Sequence, residues 1–312
     1  MEPLDRKKKI YVAGHTGLVG SALVRKLEKE GFSRIITRMH KELDLTRQGK
    51  VEDFFKKEKP DYVILAAAKV GGIYANDTYP ADFIMKNLQI QCNVIDAAYK
   101  NKVKKLLFLG SSCIYPKECP QPIKEEYLLS DYLEKTNEAY ALAKIAGLKM
   151  CSYYNKQYKT DYISVMPCNL YGINDNFSLE NSHVLPALIR KFHEAKIKGE
   201  QKVVVWGSGR PLREFLNVDD LAEACLFLLD NYQGNEFFNV GSGKEISIRE
   251  LVELIKKAVG FEGEIVMDTS MPDGTMRKLT DISRIKALGW KPKITLEEGV
   301  KNTYQWFCSQ YE

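Results

Sequence analysis

The sequence of 312 residues is 45% hydrophobic and 28% charged, which is typical of a globular protein and argues against a disordered chain. Its 46 basic and 41 acidic residues leave a formal net charge of +5. Because the basic residues are not concentrated in one stripe, we expect no nucleic-acid partner.

Apolar runs alternate with helical patterns through the first half of the chain. These patterns predict strands at residues 10–13, 34–37, 62–66, 105–109 and 162–166, and helices at 18–27, 48–57, 80–100 and 137–158. Continuous apolar strands separated by helices are typical of a parallel sheet covered on both faces. The sequence therefore predicts an α/β fold with a Rossmann-type doubly wound parallel sheet.

After residue 170 the loops lengthen and the predicted elements become shorter. They are strands at 203–206 and 236–240 and helices at 184–198, 219–230, 248–259 and 296–308. We interpret residues 1–170 as a dinucleotide-binding domain and residues 171–312 as a smaller substrate-binding α/β lobe. Because no glycine- or serine-rich linker separates them, a segment near 214–245 is allowed to rejoin the first domain.

Seven cysteines are scattered along the chain without CxxC spacing, so we expect reduced thiols and no metal site. The N-terminus has no apolar signal core, and no stretch approaches the ~18 apolar residues that cross a bilayer. We expect a cytoplasmic protein without a membrane partner.

A glycine-rich loop joins the first predicted strand to the first helix. It consists of Gly14, His15, Thr16, Gly17, Leu18, Val19 and Gly20. At this place backbone N–H groups and the positive end of a helix meet the pyrophosphate of a dinucleotide. The spacing is GxxGxxG rather than GxGxxG, and taken alone it also suits a tight turn; within a βαβ unit it favours nucleotide binding.

The residues after the second strand bear on the choice of cofactor. NAD-binding proteins usually carry an acidic residue there for the ribose hydroxyls, whereas this chain has Arg38, His40 and Lys41 and no acid before Glu42. Arg38, helped by His40 or Lys41, suits a 2′-phosphate. The sequence favours NADP, with an exposed basic loop as the alternative interpretation.

Tyr140 and Lys144 lie one turn apart in a strong helical pattern, so their side chains share one face. A nearby ammonium group is expected to lower the pKa of the tyrosine and make it a proton donor to a carbonyl. Ser111 follows the fourth strand, at the edge where ligands bind in such sheets. The three residues together predict a ketone reductase.

These features resemble the extended short-chain dehydrogenase/reductase superfamily, and further motifs resemble one of its families, the GDP-L-fucose synthases. The similar stretches are AAAKVGG at 66–72, NDTYPADF at 76–83, GSSCIYP at 110–116, NLYG at 169–172, NSHV at 181–184, VWGSG at 205–209, REF at 213–215 and PDGT at 272–275. The resemblance extends from about residue 9 to 308. It implies an NADPH-dependent oxidoreductase with epimerase activity that converts GDP-4-keto-6-deoxy-D-mannose to GDP-L-fucose.

The resemblance also assigns roles to residues. Ser111, Tyr140 and Lys144 are implied to reduce the C4 ketone, while Cys113 and His183 are implied to epimerise C3 and C5. On their own, a cysteine beside a strand and a lone histidine are more often structural. Cys113 lies two positions past Ser111, so in an extended segment both side chains would point the same way.

Further cofactor and substrate contacts follow from the same resemblance. Besides the glycine loop, Arg38 and His40, the implied cofactor contacts are Asp44, Leu45, Ala67, Leu109, Gly110, Lys144, Pro167, Asn169, Leu170 and His183. The implied substrate contacts are Lys191, Trp206, Arg213, Asp273 and Lys278. Two positions depart from the pattern: Lys191 stands where arginine is expected, and Thr16 where some members carry an arginine suited to the 2′-phosphate.

Three other functions stay open at this point. A sibling enzyme would act on a related GDP-keto sugar such as a heptose, or would reduce without epimerising. A dinucleotide-sensing protein without catalysis would usually lack part of the Ser111, Tyr140 and Lys144 set. A plain epimerase or dehydratase would regenerate its cofactor. The long helices at 80–100 and 137–158 resemble those of a homodimeric four-helix interface, so we expect a homodimer.

Overall fold

The structure, a computed structural model, describes residues 3–179, 182–271 and 273–311. Asn181 and Pro272, which belong to two of the motifs quoted above, lie outside these ranges. The first half of the chain forms strands β1 (Ile10–Ala13), β2 (Ile35–Ile36), β3 (Tyr62–Leu65), β4 (Lys105–Leu109) and β5 (Tyr162–Pro167), and helices α1 (Leu18–Lys29), α2 (Gln48–Glu58), α3 (Ile73–Thr78), α4 (Pro80–Lys100) and α5 (Glu138–Tyr158).

The second half forms shorter strands and further helices. The strands are β6 (Asn169–Tyr171), β7 (Lys202–Trp206), β8 (Leu212–Asn217), β9 (Phe238–Val240), β10 (Glu245–Ser247), β11 (Glu264–Asp268) and β12 (Arg277–Lys278). The helices are α6 (Val184–Lys198), α7 (Val218–Asn231), α8 (Ile248–Val259), α9 (Ser283–Ala287) and α10 (Leu296–Tyr311).

The central sheet has six parallel strands in the order β2-β1-β3-β4-β5-β9. β2 lies on one side of β1 and β3 on the other, so the direction of winding reverses at β1. Such a reversal opens a crevice at the carboxyl ends of the strands, where ligands bind in open α/β sheets. The predicted Rossmann-type fold is confirmed, and the glycine loop after β1 lies at the reversal.

Two apolar cores cover the two faces of this sheet. One includes Leu23, Leu221 and Leu228 of α1 and α7, and the other includes Phe55, Val94 and other residues of α2, α4 and α5. Burial on both faces explains why the strands appear in the sequence as continuous apolar runs. None of the helices in the described ranges is long and apolar enough to cross a membrane.

A third core, around Phe192 and Ile255, holds the smaller lobe together. Its sheet is centred on β8, which pairs with β10, β12 and β6, while β7 pairs with β11. The segment near 214–245 contributes to both the smaller lobe and the central sheet. β8 belongs to the sheet of the smaller lobe, whereas α7 packs against α1 and β9 is the edge strand of the central sheet. The chain thus crosses between the central sheet and the smaller lobe more than once.

Candidate active site

The glycine loop presents an open helix end at the edge of the central sheet. Gly17 is the N-cap of α1, no side chain caps the helix, and its first turn holds no acidic residue. The leading N–H groups of an α-helix have no partner within the helix and carry the positive end of its dipole. This end is therefore suited to bind an anionic group such as a pyrophosphate.

Two glycines of the loop are required by close backbone contacts. Gly14 has φ +85°, and a Cβ atom there would lie 2.8 Å from the backbone of Ala67. A Cβ atom at Gly20 would lie 2.0 Å from the carbonyl oxygen of Gly14. The turn is therefore compact, which leaves room for a ligand above it. The Nδ1 atom of His15 is buried without a hydrogen-bond partner in the described structure. These observations fit a dinucleotide.

Among the basic residues after β2, Arg38 is already paired with a carboxylate, which the sequence did not predict. The guanidinium group of Arg38 donates to Glu58 Oε1 at 2.7 Å and to the Thr37 carbonyl oxygen at 2.7 Å, and it lies over the ring of Phe54. His40 and Lys41 are exposed. To hold a 2′-phosphate, Arg38 has to share its charge with Glu58, and the exposed His40 and Lys41 are neighbouring groups able to help.

The other predicted cofactor residues follow the carboxyl ends of successive strands. Ala67 lies against Gly14 after β3, Leu109 ends β4 and Gly110 follows it. Pro167, Asn169 and Leu170 span the end of β5 and the start of β6. Asp44 accepts hydrogen bonds from Thr46, and the carbonyl oxygen of the buried Leu45 accepts one from Asn93. Because parallel strands end at one edge, residues from β1, β3, β4 and β5 share that edge.

The segment from Ser111 to Cys113 is not extended, so the condition under which both side chains would point the same way is not met. Ser111 is the N-cap of a short 3₁₀ helix, Ser112–Ile114, and its Oγ accepts a hydrogen bond from the Cys113 N–H at 3.3 Å. An N-cap serine stabilises a turn by accepting from a backbone donor two residues later. The turn still holds the hydroxyl of Ser111 next to Cys113, through this hydrogen bond rather than through an extended strand.

Tyr140 and Lys144 share one face of α5 as predicted. The Lys144 nitrogen lies 5.7 Å from the centroid of the Tyr140 ring, and the ring of Phe83 meets Tyr140 edge-on at 6.2 Å. Burial raises the pKa of Tyr140, and negative charge on Cys113 raises it further. The expected lowering of the tyrosine pKa is therefore not seen, because burial removes the hydroxyl from water and disfavours its ionised form.

Cys113 lies close to both lysines of the site. Its side chain is 8% exposed, and burial raises the pKa of the thiol; the positive charge of Lys278, the Ser111 hydroxyl and Lys144 oppose that rise. Burial lowers the pKa of Lys144 to about 8, against the effect of Cys113. The structure thus brings Ser111, Cys113, Tyr140, Lys144 and Lys278 together at one place.

His183 belongs to a different element, the start of α6. It is the N-cap residue of α6, and burial lowers the pKa of its imidazole. Within the described residues no hydrogen bond or ion pair joins it to Cys113 or Tyr140.

The predicted substrate contacts divide into two groups. Arg213 pairs in register with Lys278, and the electrostatic effect of Asp273 opposes the burial that lowers the pKa of Arg213. Asp273 itself accepts from the N–H and hydroxyl of Ser208. In contrast, Lys191 donates to the carbonyl oxygen of Val204, and Trp206 is 68% exposed at the end of β7.

Several polar atoms next to the predicted site were missed by sequence reasoning. The buried oxygens Asn76 Oδ1, Asn137 Oδ1 and Ser182 Oγ have no hydrogen-bond partner in the described part of the chain. Asn137 lies one turn before Tyr140, α3 with Asn76 packs against the 3₁₀ helix Lys135–Asn137, and Ser182 precedes His183. Their spacing from the predicted site residues was the available signal. Polar atoms of this kind fit the hydroxyl groups of a sugar.

Among residues 3–179, 182–271 and 273–311, no group of three or more His, Cys, Asp or Glu side chains is arranged to hold a metal ion. The predicted groups are instead two lysines, a thiol, two hydroxyls and an imidazole.

Comparison with known proteins adds a family to this geometry. Residues 10–241 match the NAD dependent epimerase/dehydratase family. GDP-L-fucose synthase 1 of Arabidopsis thaliana is 64% identical over 303 residues, which cover 97% of this chain and 94% of the relative.

Two solved structures are similar over nearly the whole chain. A GDP-L-fucose synthetase from Naegleria fowleri bound to NADP is 34% identical, with a TM-score of 0.93 and coverage of 99% of this chain and 95% of that one. A GDP-D-glycero-L-gluco-heptose synthase from Campylobacter jejuni, in the presence of NADPH, is 40% identical, with a TM-score of 0.94 and coverage of 98% and 99%.

Proposed function

The chain belongs to the NAD dependent epimerase/dehydratase family and, within it, to the GDP-L-fucose synthases, and from that premise we propose which of its residues carry each step. The overall reaction is the NADPH-dependent conversion of GDP-4-keto-6-deoxy-D-mannose to GDP-L-fucose. It combines epimerisation at C3 and C5 with reduction at C4, so the enzyme is an oxidoreductase with isomerase activity.

Epimerisation is assigned to Cys113 and His183. A ketone at C4 acidifies the hydrogens on C3 and C5, so a thiolate at Cys113 can remove them. His183 returns a proton from the opposite face, which inverts the centre. The observation that carries this assignment is the position of Cys113, buried beside Ser111 and close to Lys144. A plain ketone reductase needs no thiol there.

Reduction is assigned to Ser111, Tyr140 and Lys144. The cofactor is NADPH, which when bound supplies the hydride for C4. Tyr140 donates the proton to the C4 oxygen, Ser111 holds that oxygen, and Lys144 stabilises the phenolate that forms. The burial that raises the pKa of Tyr140 keeps it in the protonated, donating form before the step.

Cofactor binding is assigned to the open end of α1 and to the strand ends around it. Gly14, Gly17 and Gly20 allow the pyrophosphate to approach the backbone, and His15 has an unpaired ring nitrogen beside it. Arg38 and His40 are proposed for the 2′-phosphate. Since Thr16 offers no charge, Arg38 and Lys41 supply the positive groups near that position, and His40 offers an imidazole N–H group.

Substrate binding is assigned to the smaller lobe. Arg213 suits a bidentate contact with the diphosphate, and Trp206 offers a large exposed ring for a sugar or base. Asp273, Lys191 and Lys278 complete the proposed set. The division into a cofactor domain and this lobe is part of the same proposal.

A related GDP-heptose is the second candidate substrate. The heptose synthase from Campylobacter jejuni resembles this chain over almost its full length. Its identity of 40% is well below the 64% shared with the plant GDP-L-fucose synthase. We therefore rank the 6-deoxy-hexose first.

The protein is further proposed to be a cytoplasmic homodimer. Met85 on α4 and Leu142 and Tyr153 on α5 are exposed, on two helices that pack side by side. Large apolar side chains on a flat helical face favour pairing with a second copy. The cysteines are all free thiols, which suits a reducing compartment.

Nicotinamide absorbance tests the reaction class. With GDP-4-keto-6-deoxy-D-mannose, the proposal expects one NADPH oxidised for each sugar consumed. Sugar turnover without net loss of NADPH would instead identify an epimerase or dehydratase that regenerates its cofactor. NADPH binding without any sugar turnover would identify a dinucleotide-sensing protein.

A further inference from the structure

We propose that Phe83 is a positioning residue for the reduction: its buried ring meets the ring of Tyr140 and keeps the hydroxyl of that tyrosine where the C4 oxygen of the sugar receives its proton. This inference rests on the proposed function, because it takes Tyr140 as the proton donor. Phe83 is the last residue of the stretch NDTYPADF, to which the sequence pattern alone gave no function.

The ring of Phe83 is in direct contact with the ring of Tyr140. The two ring centroids lie 6.2 Å apart and the ring planes meet at 87°. This edge-to-face arrangement is favoured between aromatic side chains, because the positive edge of one ring meets the negative face of the other. Phe83 lies on α4 and Tyr140 on α5, two helices that pack side by side. The contact therefore joins the turn that carries the proton donor to a second helix.

The ring of Tyr140 depends on packing for its orientation. In the described part of the chain, its hydroxyl takes part in no hydrogen bond, which leaves that group available to a substrate. The ammonium group of Lys144 lies 5.7 Å from the centroid of the ring, but Lys144 is on the same helix. Of these two neighbours, Phe83 is therefore the one that fixes the ring relative to another element.

Phe83 is buried at the site and not in the main apolar cores. Its side chain is 1% exposed, yet it belongs to none of the three cores described above. The ammonium group of Lys69 lies 5.1 Å from the centroid of its ring, and a Cβ atom at Gly71 would lie 3.0 Å from Phe83 Cζ. The ring is thus enclosed by the loop after β3 and by the proton donor.

The loop after β3 is bound to the helix that carries Phe83. The N–H of Lys69 donates to Asn87 Oδ1 at 2.9 Å, and the Asn87 amide donates to the carbonyl oxygens of Lys69 at 3.0 Å and Phe83 at 2.8 Å. The same loop contains Ala67, which lies against Gly14 of the glycine turn. A continuous path of contacts therefore runs from the glycine turn to Phe83 and on to the proton donor.

This path relates the proton donor to the cofactor site. In the reduction, the O–H bond of Tyr140 breaks and its proton goes to the C4 oxygen while hydride reaches C4. A misplacement of about 1 Å can slow such a step by about 100-fold. The hydrogen bond from Lys144 to the carbonyl oxygen of Leu109 holds helix α5, whereas Phe83 acts on the tyrosine ring. Phe83 takes no part in bond making.

A double-mutant cycle in the full-length enzyme tests whether Phe83 acts through Tyr140. Phe83→Leu removes the ring, and its effect on the kcat of NADPH oxidation is measured in the parent enzyme and in Tyr140→Phe. Phe238→Leu is the matched control. Phe238 is also 1% exposed and meets a tyrosine, Tyr232, at 84° outside the proposed site. The melting temperature and the KM for NADPH are recorded for each variant.

We expect kcat in Phe83→Leu to fall about tenfold or more at an unchanged KM for NADPH, because the contact matters in the transition state. In the Tyr140→Phe background the same change should cost less than about twofold. Phe238→Leu should lower the melting temperature comparably and keep the parent kcat.

Three results would overturn the inference. The first is a parent-like kcat in Phe83→Leu. The second is an equal loss in both backgrounds, since Phe83 would then act on the fold and not on Tyr140. The third is an equal loss of kcat in Phe238→Leu, since the loss of any buried ring would then slow the reaction.

Phe83→Met covers the case in which Phe83→Leu fails to fold. Methionine fills much of the space of the ring with a flexible apolar side chain, but it cannot make the edge-to-face contact. We expect the same fall in kcat, and parent-like turnover in Phe83→Met would show that the ring is not needed.

A measurement without turnover separates this inference from the proposed function. The protein is labelled with fluorotyrosine and saturated with NADPH, and the fluorine NMR line of Tyr140 is assigned by its loss in Tyr140→Phe. We expect one narrow line in the parent and a broadened or doubled line in Phe83→Met, because the ring is no longer held in one orientation. Equal line widths would contradict the inference. Failure of the parent enzyme on the GDP-sugar would bear on the proposed function alone.

Discussion

The ammonium group of Lys144 donates a 2.7 Å hydrogen bond to the carbonyl oxygen of Leu109, the last residue of β4. This bond joins helix α5 to the strand that ends two residues before Ser111. Because Tyr140 lies one turn before Lys144, the same bond fixes the distance between the tyrosine and the serine. The reductive set is thus positioned by one buried contact between two elements far apart in the sequence.

Replacement of Tyr140 tests the proton donor. Tyr140→Phe removes only the hydroxyl, so we expect NADPH oxidation to fall about 10²- to 10⁴-fold, the usual contribution of a general acid. NADPH affinity, measured by fluorescence titration, should change little. Tyr158→Phe, an exposed position at the end of the same helix, is the control and should keep full activity. Near-normal turnover in Tyr140→Phe would remove the tyrosine from the mechanism.

Replacement of Cys113 separates the two halves of the reaction. In Cys113→Ser we expect solvent deuterium uptake at C3 and C5 to fall at least about 10²-fold, since a serine hydroxyl is a far weaker base than a thiolate. Mass spectrometry of the sugar follows the exchange, with NADPH binding as the test of folding. Cys92→Ser, at an exposed thiol on α4, should exchange normally. Full exchange in Cys113→Ser would assign the base elsewhere.

The pH dependence of reduction reports on Lys144. Burial lowers its pKa to about 8, so the ammonium group is present below that pH and is lost above it. With a 4-keto sugar already epimerised at C3 and C5, NADPH oxidation should therefore fall as the pH rises through about 8. Lys144→Arg, whose guanidinium stays charged, should lack this decline even if its plateau is lower. The same decline in Lys144→Arg would assign it to another group.

The tight glycine turn predicts the effect of one added methyl group. In Gly20→Ala the new Cβ would lie 2.0 Å from the Gly14 carbonyl oxygen, so the loop has to shift. We expect the free energy of unfolding to fall by about 1–3 kcal/mol and NADPH to bind more weakly. Gly49→Ala in α2, where the Cβ meets open space, should instead gain about 0.5–1 kcal/mol and bind NADPH normally. Equal NADPH affinity in both variants would contradict the proposed cradle.

The central sheet and the helices around it were predictable from the sequence. Their strands are buried on both faces, so they form continuous apolar runs, and the helices carry long amphipathic patterns. α4 was predicted at 80–100 and spans Pro80–Lys100. In the smaller lobe, α6 and α8 also match their predicted ranges. Local patterns sufficed because each strand is a continuous apolar run and each helix is long enough to show its amphipathic period.

The strands of the smaller lobe were not predictable in the same way. β12 is two residues long, and β8 contains Arg213 and Glu214 within a six-residue strand. Glu214 is fully buried and accepts hydrogen bonds from Thr280 and Gly243, a pairing that no local pattern reveals. The position of Lys278 depends on these distant contacts, so its proximity to Cys113 emerges only from the structure.

Which residues lie together at the site could be predicted from the sequence better than their ion pairs and pKa shifts. Spacing placed Tyr140 and Lys144 on one face, and the position after β4 identified Ser111. The pairing of Arg38 with Glu58 and the rise in the Tyr140 pKa depend on burial and on neighbours from other elements. A local sequence pattern contains no information on either the pairing or the pKa shift.

The most direct test of the account is the identity and labelling of the product made in deuterated water. The protein is incubated with GDP-4-keto-6-deoxy-D-mannose and NADPH, and the sugar is characterised by NMR. The account predicts GDP-L-fucose with deuterium at C3 and C5 and hydrogen from NADPH at C4. A C4-reduced sugar without deuterium at C3 and C5, or turnover of a GDP-heptose with no GDP-L-fucose formed, would contradict it.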